Sequence, residues 1–419
     1  MTRTERQQES IKRWVAAKGR GTVEAATGVG KTRIALMTIK ALLKKHPHIR
    51  ILVVVPTTLL KNQWQQQIDE WGFSFNAEVY VVNSVILHEW TCDFLILDEC
   101  HRYSSKDFSK IFDKVKYRII LGLTATFERL DGKHIIMEKY CPIVDNISAL
   151  EAEANGWISR YKEYQVLIDV DDINEYKQLN KEFIKYFEFF NFDFDKAMSC
   201  CGKDGWKYKL KLRDEMYHGS DESKKKQVLQ SITINSMGLM RVMQKRKAFI
   251  NNHPKKLEIT RKIIEARKDK KIITFSNNIK MAEAIDKGQN VYSGKTSKKK
   301  GRVMIEDFNA QQTGCLHTIR KADEGLDISG LSVAIILGTD SSETKARQRR
   351  GRAIRKEGNK LAEVFYIIIK DTVEQKWMQN SHKRDTNYIT IDEKGLDQVL
   401  RGEEPDIYKQ KIGQIMFRF

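Results

Sequence analysis

At 419 residues, with 41% hydrophobic and 31% charged residues, the chain is long enough for two or three domains that each bury a core. The mean hydropathy is −0.52, and the longest apolar runs, such as residues 51–55, are far too short to span a bilayer. A formal net charge of +19 points to a polyanionic partner, and residues 245–302 hold 18 Lys and Arg against 5 Asp and Glu.

The start, Met1-Thr2-Arg3-Thr4-Glu5-Arg6, has no apolar segment of an export signal, so a cytoplasmic location is expected. The six cysteines, Cys200 and Cys201 among them, lack paired CxxC spacing. Free thiols and no zinc site are therefore expected.

In chain order, an apolar run at 22–25 enters Ala25-Ala26-Thr27-Gly28-Val29-Gly30-Lys31-Thr32. A Gly-rich turn opening a helix aims backbone N–H groups at phosphate oxygens. Lys31 adds a cation, and the Thr32 hydroxyl suits Mg²⁺. The usual pattern has Gly where this chain has Ala25. Apolar runs at 51–55, 79–82 and 94–97 follow, and the last ends in Asp98-Glu99-Cys100-His101. There Asp98 can hold the metal, and Glu99 can polarise the water that attacks a γ-phosphate. Another run lies at 118–121, with helical patterning between the runs, which is the rhythm of a doubly wound parallel sheet.

Residues 151–244 lose that alternation and read as mostly helical. The aromatic cluster at 183–194 could stack on bases or form core. The alternation returns with runs at 271–275, 315–319, 333–337 and 364–369 and a helical segment at 255–266. The tail beyond 380 is polar and basic and carries no assignable chemistry. The expected organisation is an α/β chain with domains at 1–150 and 251–380, a helical insertion at 151–250 and a tail at 381–419.

The motifs resemble those of a superfamily 2 helicase over residues 6 to about 380. Arg6-Gln7-Gln8-Glu9 matches the adenine-reading segment, and the 25–32 loop fits that superfamily's variant, which does not need the first Gly. Val55-Pro56-Thr57-Thr58-Leu59-Leu60 with Gln63-Trp64 resembles motif Ia. Leu121-Gly122-Leu123-Thr124-Ala125-Thr126 resembles motif III, although Phe127 stands where Pro is common. Arg129-Leu130-Asp131-Gly132 follows as in XPB-type and phage UvsW-type members. Ile273-Thr274-Phe275-Ser276 resembles motif IV, and Asp323-Glu324-Gly325-Leu326-Asp327-Ile328 motif V. Gln348-Arg349-Arg350-Gly351-Arg352-Ala353-Ile354-Arg355 resembles motif VI without the second Gly of many relatives.

The resemblance implies two tandem RecA-like P-loop domains and ATP with Mg²⁺ as cofactors. It implies Lys31, Glu99, Arg352 and Arg355 in catalysis, the two arginines acting as fingers. Gln7, Thr27, Gly28, Val29, Gly30, Lys31, Thr32, Asp327 and Gln348 would bind the nucleotide, and Thr32 and Asp98 the metal. Pro56, Thr57, Thr58, Asn83, Ser276 and Thr318 would meet nucleic acid.

The implied activity is an ATP-dependent DNA helicase that unwinds or branch-migrates forked DNA in replication, recombination or repair of a phage. Single-stranded DNA-binding or recombination proteins would be its partners. Two alternatives stay open: an RNA helicase or transcript-release factor, and the motor of a restriction nuclease. Asp392-Glu393-Lys394 offers the latter a D-x-K triplet.

Overall fold

The computed structural model describes residues 1–127, 134–202, 204–319, 328–338, 351, 361–381 and 388–408. Its described residues divide into two compact units. One comprises Met1–Tyr164, Ile263–Tyr366 and Trp377–Ile389, and the other Gln165–Lys262, Ile367–Lys376 and Thr390–Phe419.

In the first unit the β-branched runs form β1 (Arg20–Ala25), β2 (Ile51–Val55), β3 (Ala77–Val81), β4 (Trp90–Thr91), β5 (Phe94–Asp98), β6 (Val115–Lys116), β7 (Ile119–Thr124) and β8 (Ile143–Ile147). Six of them make a sheet in the order β3-β2-β5-β7-β1-β8, while β4 and β6 pair separately. Neighbouring strands run parallel, with Leu52 beside Leu95, Ile96 beside Leu121 and Val23 beside Leu123. All residues of β2 and β5 are buried, as a parallel sheet covered on both faces requires.

Parallel strands point their C-terminal ends the same way. Ala25, Asp98 and Thr124 therefore close β1, β5 and β7 on one edge, where ligands of open α/β sheets bind.

Phe127 is a core residue, 1% exposed and packed with Cys100, Met137 and Cys141. Its backbone N–H donates to Glu24 (3.1 Å). A proline would lose that donor, which accounts for the departure from the family pattern.

A second sheet contains β9 (Arg160–Ile168), β10 (Lys271–Ser276), β11 (Val291–Tyr292), β12 (Gly314–Ile319), β13 (Val333–Ile336), β14 (Leu361–Ile369) and β15 (Tyr388–Ile391) in the order β11-β12-β10-β13-β14-β9-β15. Three of its strands were not anticipated. β9 lies inside the stretch read as helical, the short β11 lies between two of the expected runs, and β15 lies in the tail. The tail also forms the helix Glu393–Arg401, for which Asp392 is the N-cap, accepting from Gly395 N–H (2.9 Å). Glu393 pairs with Lys255 and Lys394 with Asp406, so the D-x-K triplet is a helix cap with two surface ion pairs.

The second unit is helical over Ile173–Glu188, Phe194–Ser199, Gly205–Met216 and Glu222–Asn252. Its core joins Phe187, Phe190, Leu212, Ile232 and Leu239, with Phe183, Tyr186, Phe189 and Phe192 packed against it. The aromatic segment is thus mainly core. Gly238 sits in the long helix where a Cβ would come 2.4 Å from the Tyr186 ring, so glycine sets the close approach.

Part of the basic surplus is internal. Lys256 is fully buried with its ammonium 2.7 Å from Glu374, whose side chain is equally buried. Desolvation pulls the Lys256 pKa down while Glu374 opposes the shift. Lys271 is buried, donates to Asn309 O and lies over the Phe308 ring, and Arg267 and Lys270 both bind Glu363.

Removing one partner of a buried pair strands the other charge. Lys256→Met is therefore expected to destabilise the chain by about 3–5 kcal/mol, read from the urea unfolding midpoint. Adding Glu374→Leu should restore most of that loss.

Candidate nucleotide site

The N-terminal helix Arg3–Ala16 is capped by Thr2 with a complete capping box to Glu5. Its inner face buries Arg6 and Gln7. Arg6 forks onto Asp145 of β8 (2.6 and 3.0 Å) and also reaches Glu151 and Asn146 O, while Arg13 adds a second contact to Asp145. These bonds pin the helix beside the P-loop. Burial alone would raise the pKa of Asp145, but the Arg6 and Ser10 hydrogen bonds outweigh it and hold the carboxyl below its ordinary 3.8.

One turn apart, Arg3 and Gln7 grip the P-loop carbonyls. Arg3 donates to Val29 O (2.9 Å) and Gly28 O (2.5 Å), and Gln7 Nε2 donates to Val29 O (2.8 Å). Arg3 was not picked out in the sequence; its i, i+4 spacing to Gln7 was the available signal. Gln7 is fully buried, and its Oε1 has no hydrogen-bond partner among the described residues. An acceptor left open in a buried amide fits a ligand that presents an N–H there, such as the exocyclic amine of adenine.

The loop itself fits phosphate. Gly28 and Gly30 have φ of +94° and +95°, which side-chain-bearing residues rarely adopt. A Cβ on Gly30 would meet Gln7 Nε2 at 2.7 Å. Lys31 begins the helix Lys31–Leu43, and its Nζ donates to Ala25 O (3.2 Å), folded back along the loop it would leave to reach a phosphate. Thr32 follows in the first turn.

Across the edge, Asp98 is 5% exposed. Trp64 Nε1 donates to its Oδ2 (2.8 Å) and Glu99 N–H to its Oδ1 (3.0 Å). Burial raises the Asp98 pKa, while the Trp64 bond and the Lys31 charge oppose the rise. A bound Mg²⁺ would favour the ionised form, and one or two protein ligands suffice when phosphates supply the rest. Glu99 is held at φ 47°, ψ 49°, a left-handed conformation that turns its carboxylate toward His101 Nδ1 (3.5 Å).

His101 Nδ1 also shares a 2.9 Å hydrogen bond with Thr124 Oγ1. Because that hydroxyl donates to Thr126 O (2.8 Å), the proton between His101 and Thr124 belongs to the histidine. The DECH sequence and the Thr-Ala-Thr turn are therefore one hydrogen-bonded unit. The Thr126 hydroxyl is buried without a partner among the described residues.

The thiols nearby take no part. Cys100 and Cys141 are buried around Thr22, and burial pushes Cys141 up to about 11 and Cys100 well above its ordinary value.

Gly351, from the motif VI sequence, packs on the P-loop in the same compact unit. A Cβ there would come 2.3 Å from Thr27 Cβ. Asp327, Gln348, Arg352 and Arg355, with 129–132, lie outside the described residues.

Of the nucleic-acid candidates, Pro56 is buried. Thr57 caps the helix Thr58–Glu70 through Leu60 N–H (3.3 Å), and Thr58 and Asn83 are exposed. Ser276 is buried with its hydroxyl unpartnered, and Thr318 is buried and donates to Thr274 O (2.7 Å).

Two RecA-like sheets and this site make the chain an ATP-dependent helicase of superfamily 2. Residues 255–357 match the family described as "Helicase conserved C-terminal domain", and residues 1–86 and 83–129 match "Type III restriction enzyme, res subunit".

Within that class the chain is similar to "DNA 3'-5' translocase XPB2" of Sulfurisphaera tokodaii, 26% identical over 398 residues, which cover 88% of this chain and 82% of that protein. "Putative helicase 22" of a Sulfolobus islandicus filamentous virus is 24% identical over 415 residues, covering 87% of this chain and 65% of that protein. The chain thus spans just under two thirds of that viral relative. The fold is shared with S. cerevisiae Dbp5 bound to RNA and ADP BeF3, at a TM-score of 0.59 and 12% identity, covering 94% of this chain and 91% of that one.

Gln7→Ala removes one of the two donors to Val29 O, Arg3 keeping the other, and removes the open acceptor. ATP affinity is expected to fall about 5- to 50-fold, the size of one buried hydrogen-bond defect, in a fluorescent-nucleotide titration. The effect on a nucleotide lacking the exocyclic amine should be smaller.

Because Asp145 is depressed in the folded state, the unfolded chain takes up its proton first as pH falls. Its stabilisation is complete above about pH 5 and drains away below about pH 4. Asp145→Asn should flatten that part of the stability–pH curve.

Proposed function

We propose that the protein is an ATP-driven DNA translocase that unwinds or branch-migrates forked and branched DNA, serving replication, recombination or repair of a viral genome. The observation that carries the reading is Gly351 against Thr27: a motif VI residue forms part of the wall of the P-loop. A nucleotide site completed by both RecA-like bodies changes affinity as they part. A ligand drives such a change only through its differential affinity for the two states.

The roles follow residue by residue. Lys31 and the amides of Gly28 to Thr32 take the phosphates, with Thr27 and Val29 shaping the loop and Gln7 meeting adenine. Thr32 and Asp98 hold Mg²⁺, whose charge offsets that developing on the phosphates. Glu99 orients the attacking water, and His101 carries the state of that carboxylate to Thr124 and Thr126. Arg352 and Arg355 act as fingers, with Asp327 and Gln348 beside the nucleotide. Pro56, Thr57, Thr58 and Asn83 line the strand path in the first domain. Ser276 and Thr318 belong to the second; the hydroxyl of Thr318 is already spent within the sheet.

The likeness to a DNA translocase over 88% of the chain favours DNA, and a viral relative favours a viral setting. The nuclease-motor alternative loses its local support, since Asp392 is a helix cap.

The test is ATP-dependent unwinding of a forked DNA beside a matching RNA duplex. Strand separation on DNA alone supports the reading, and separation on RNA alone overturns it. Lys31→Ala should abolish ATP turnover and leave DNA binding largely intact; normal turnover in that variant would remove the site assignment.

A further inference from the structure

The helix Gly205–Met216 contains Trp206-Lys207-Tyr208-Lys209-Leu210-Lys211-Leu212-Arg213, a strict alternation of apolar and basic residues. At 100° per residue a period of two spreads the apolar side chains around the helix instead of gathering them into a stripe. The packing obeys this: only Gly205 and Leu212 are buried, Leu212 within the core of the helical unit. Trp206 stays 61% exposed and Tyr208 50%. These rings contribute little to the fold, and large aromatics are rarely left this open without a use.

Of the lysines alternating with them, Lys207 and Lys211 are exposed and Lys209 is half-buried. The Lys207 and Lys211 side chains are 64% and 76% exposed, and their nearest carboxylates, Asp204 at 3.6 Å and Glu215 at 3.9 Å, are themselves exposed. Such pairs are worth little in water and give way to a stronger anion. The long helix Glu222–Asn252 packs in the same core and carries Lys224, Lys225, Lys226, Arg241, Lys245, Arg246 and Lys247 against the single acid Glu222. It also leaves Ile234 and Met237 exposed. A polymer whose every unit joins a flat apolar face to a negative charge complements that mixture. Duplexes hide their base faces, and single strands present them.

We propose that the helical unit is a single-stranded DNA grip in which Trp206 and Tyr208 stack on unpaired bases and Lys207 and Lys211 take the phosphates between. The proposal deepens the DNA reading above and rests on it.

The test is the affinity of the full chain for an oligothymidine of about 20 nucleotides, with fold checked by circular dichroism melting. Since base stacking on one aromatic is worth about 1–3 kcal/mol, Trp206→Ala with Tyr208→Ala should weaken binding about 10-fold or more. Trp206→Phe with Tyr208→Phe should recover most of it. Lys207→Gln with Lys211→Gln should reduce the log–log salt slope by roughly 1.4, two phosphate contacts' worth on a single strand.

Wild-type affinity in the folded double-alanine variant overturns the proposal. So does aromatic-dependent binding to anionic phospholipid vesicles with oligothymidine affinity untouched. DNA-stimulated ATP turnover by the unmodified chain distinguishes the two failures: if it is present, the grip alone is wrong, and if it is absent, the DNA reading fails with it.

Discussion

A carboxylate taken out of water at the end of a fully buried strand is costly unless it is hydrogen-bonded and matched by a cation. Asp98 meets that cost locally through Trp64 and its neighbour's N–H. Its remaining demand is for positive charge, and Lys31 lies close enough to act on it. The site is organised around that demand. The parallel sheet brings Asp98 level with the ends of β1 and β7, the glycines keep the loop open to an anion, and Mg²⁺ with phosphate would supply what the protein leaves unbalanced.

The same edge joins recognition to chemistry. Arg3 and Gln7 hold the carbonyls of Gly28 and Val29, so the N-terminal helix and the P-loop cannot shift independently. On the other side, His101 ties the strand bearing the acidic pair to the Thr124–Thr126 turn. The helix that carries Gln7 is fixed in turn by Arg6 on Asp145, a charge pair between residues 139 positions apart.

The strands that carry the site were legible because each holds a short, mainly apolar run buried on both faces, and residues 51–55 match β2 to the residue. Others were hidden for identifiable reasons. β8 contains Asp145 and Asn146, polar because they answer Arg6 and Glu24. β9 opens with Arg160 and Lys162 and reads as surface until Gln165. Charge counting overstated the basic surface because Lys256 finds Glu374 118 residues away, a partner no local window contains. The aromatic run at 183–194 left two readings open, and tertiary packing decided mainly for core, with Phe194 left exposed; Trp206 and Tyr208, outside that run, are exposed as well.

Glu99 occupies a backbone region where a side chain costs about 1–2 kcal/mol and glycine costs almost nothing. On the role proposed for Glu99, the position that turnover needs is one where folding alone would choose another residue. Under selection for stability without selection for turnover, the site would drift first at this residue, toward glycine. A lineage that kept only the binding surfaces would be recognisable by an Asp-Gly in place of Asp98-Glu99, with the sheet around it unchanged.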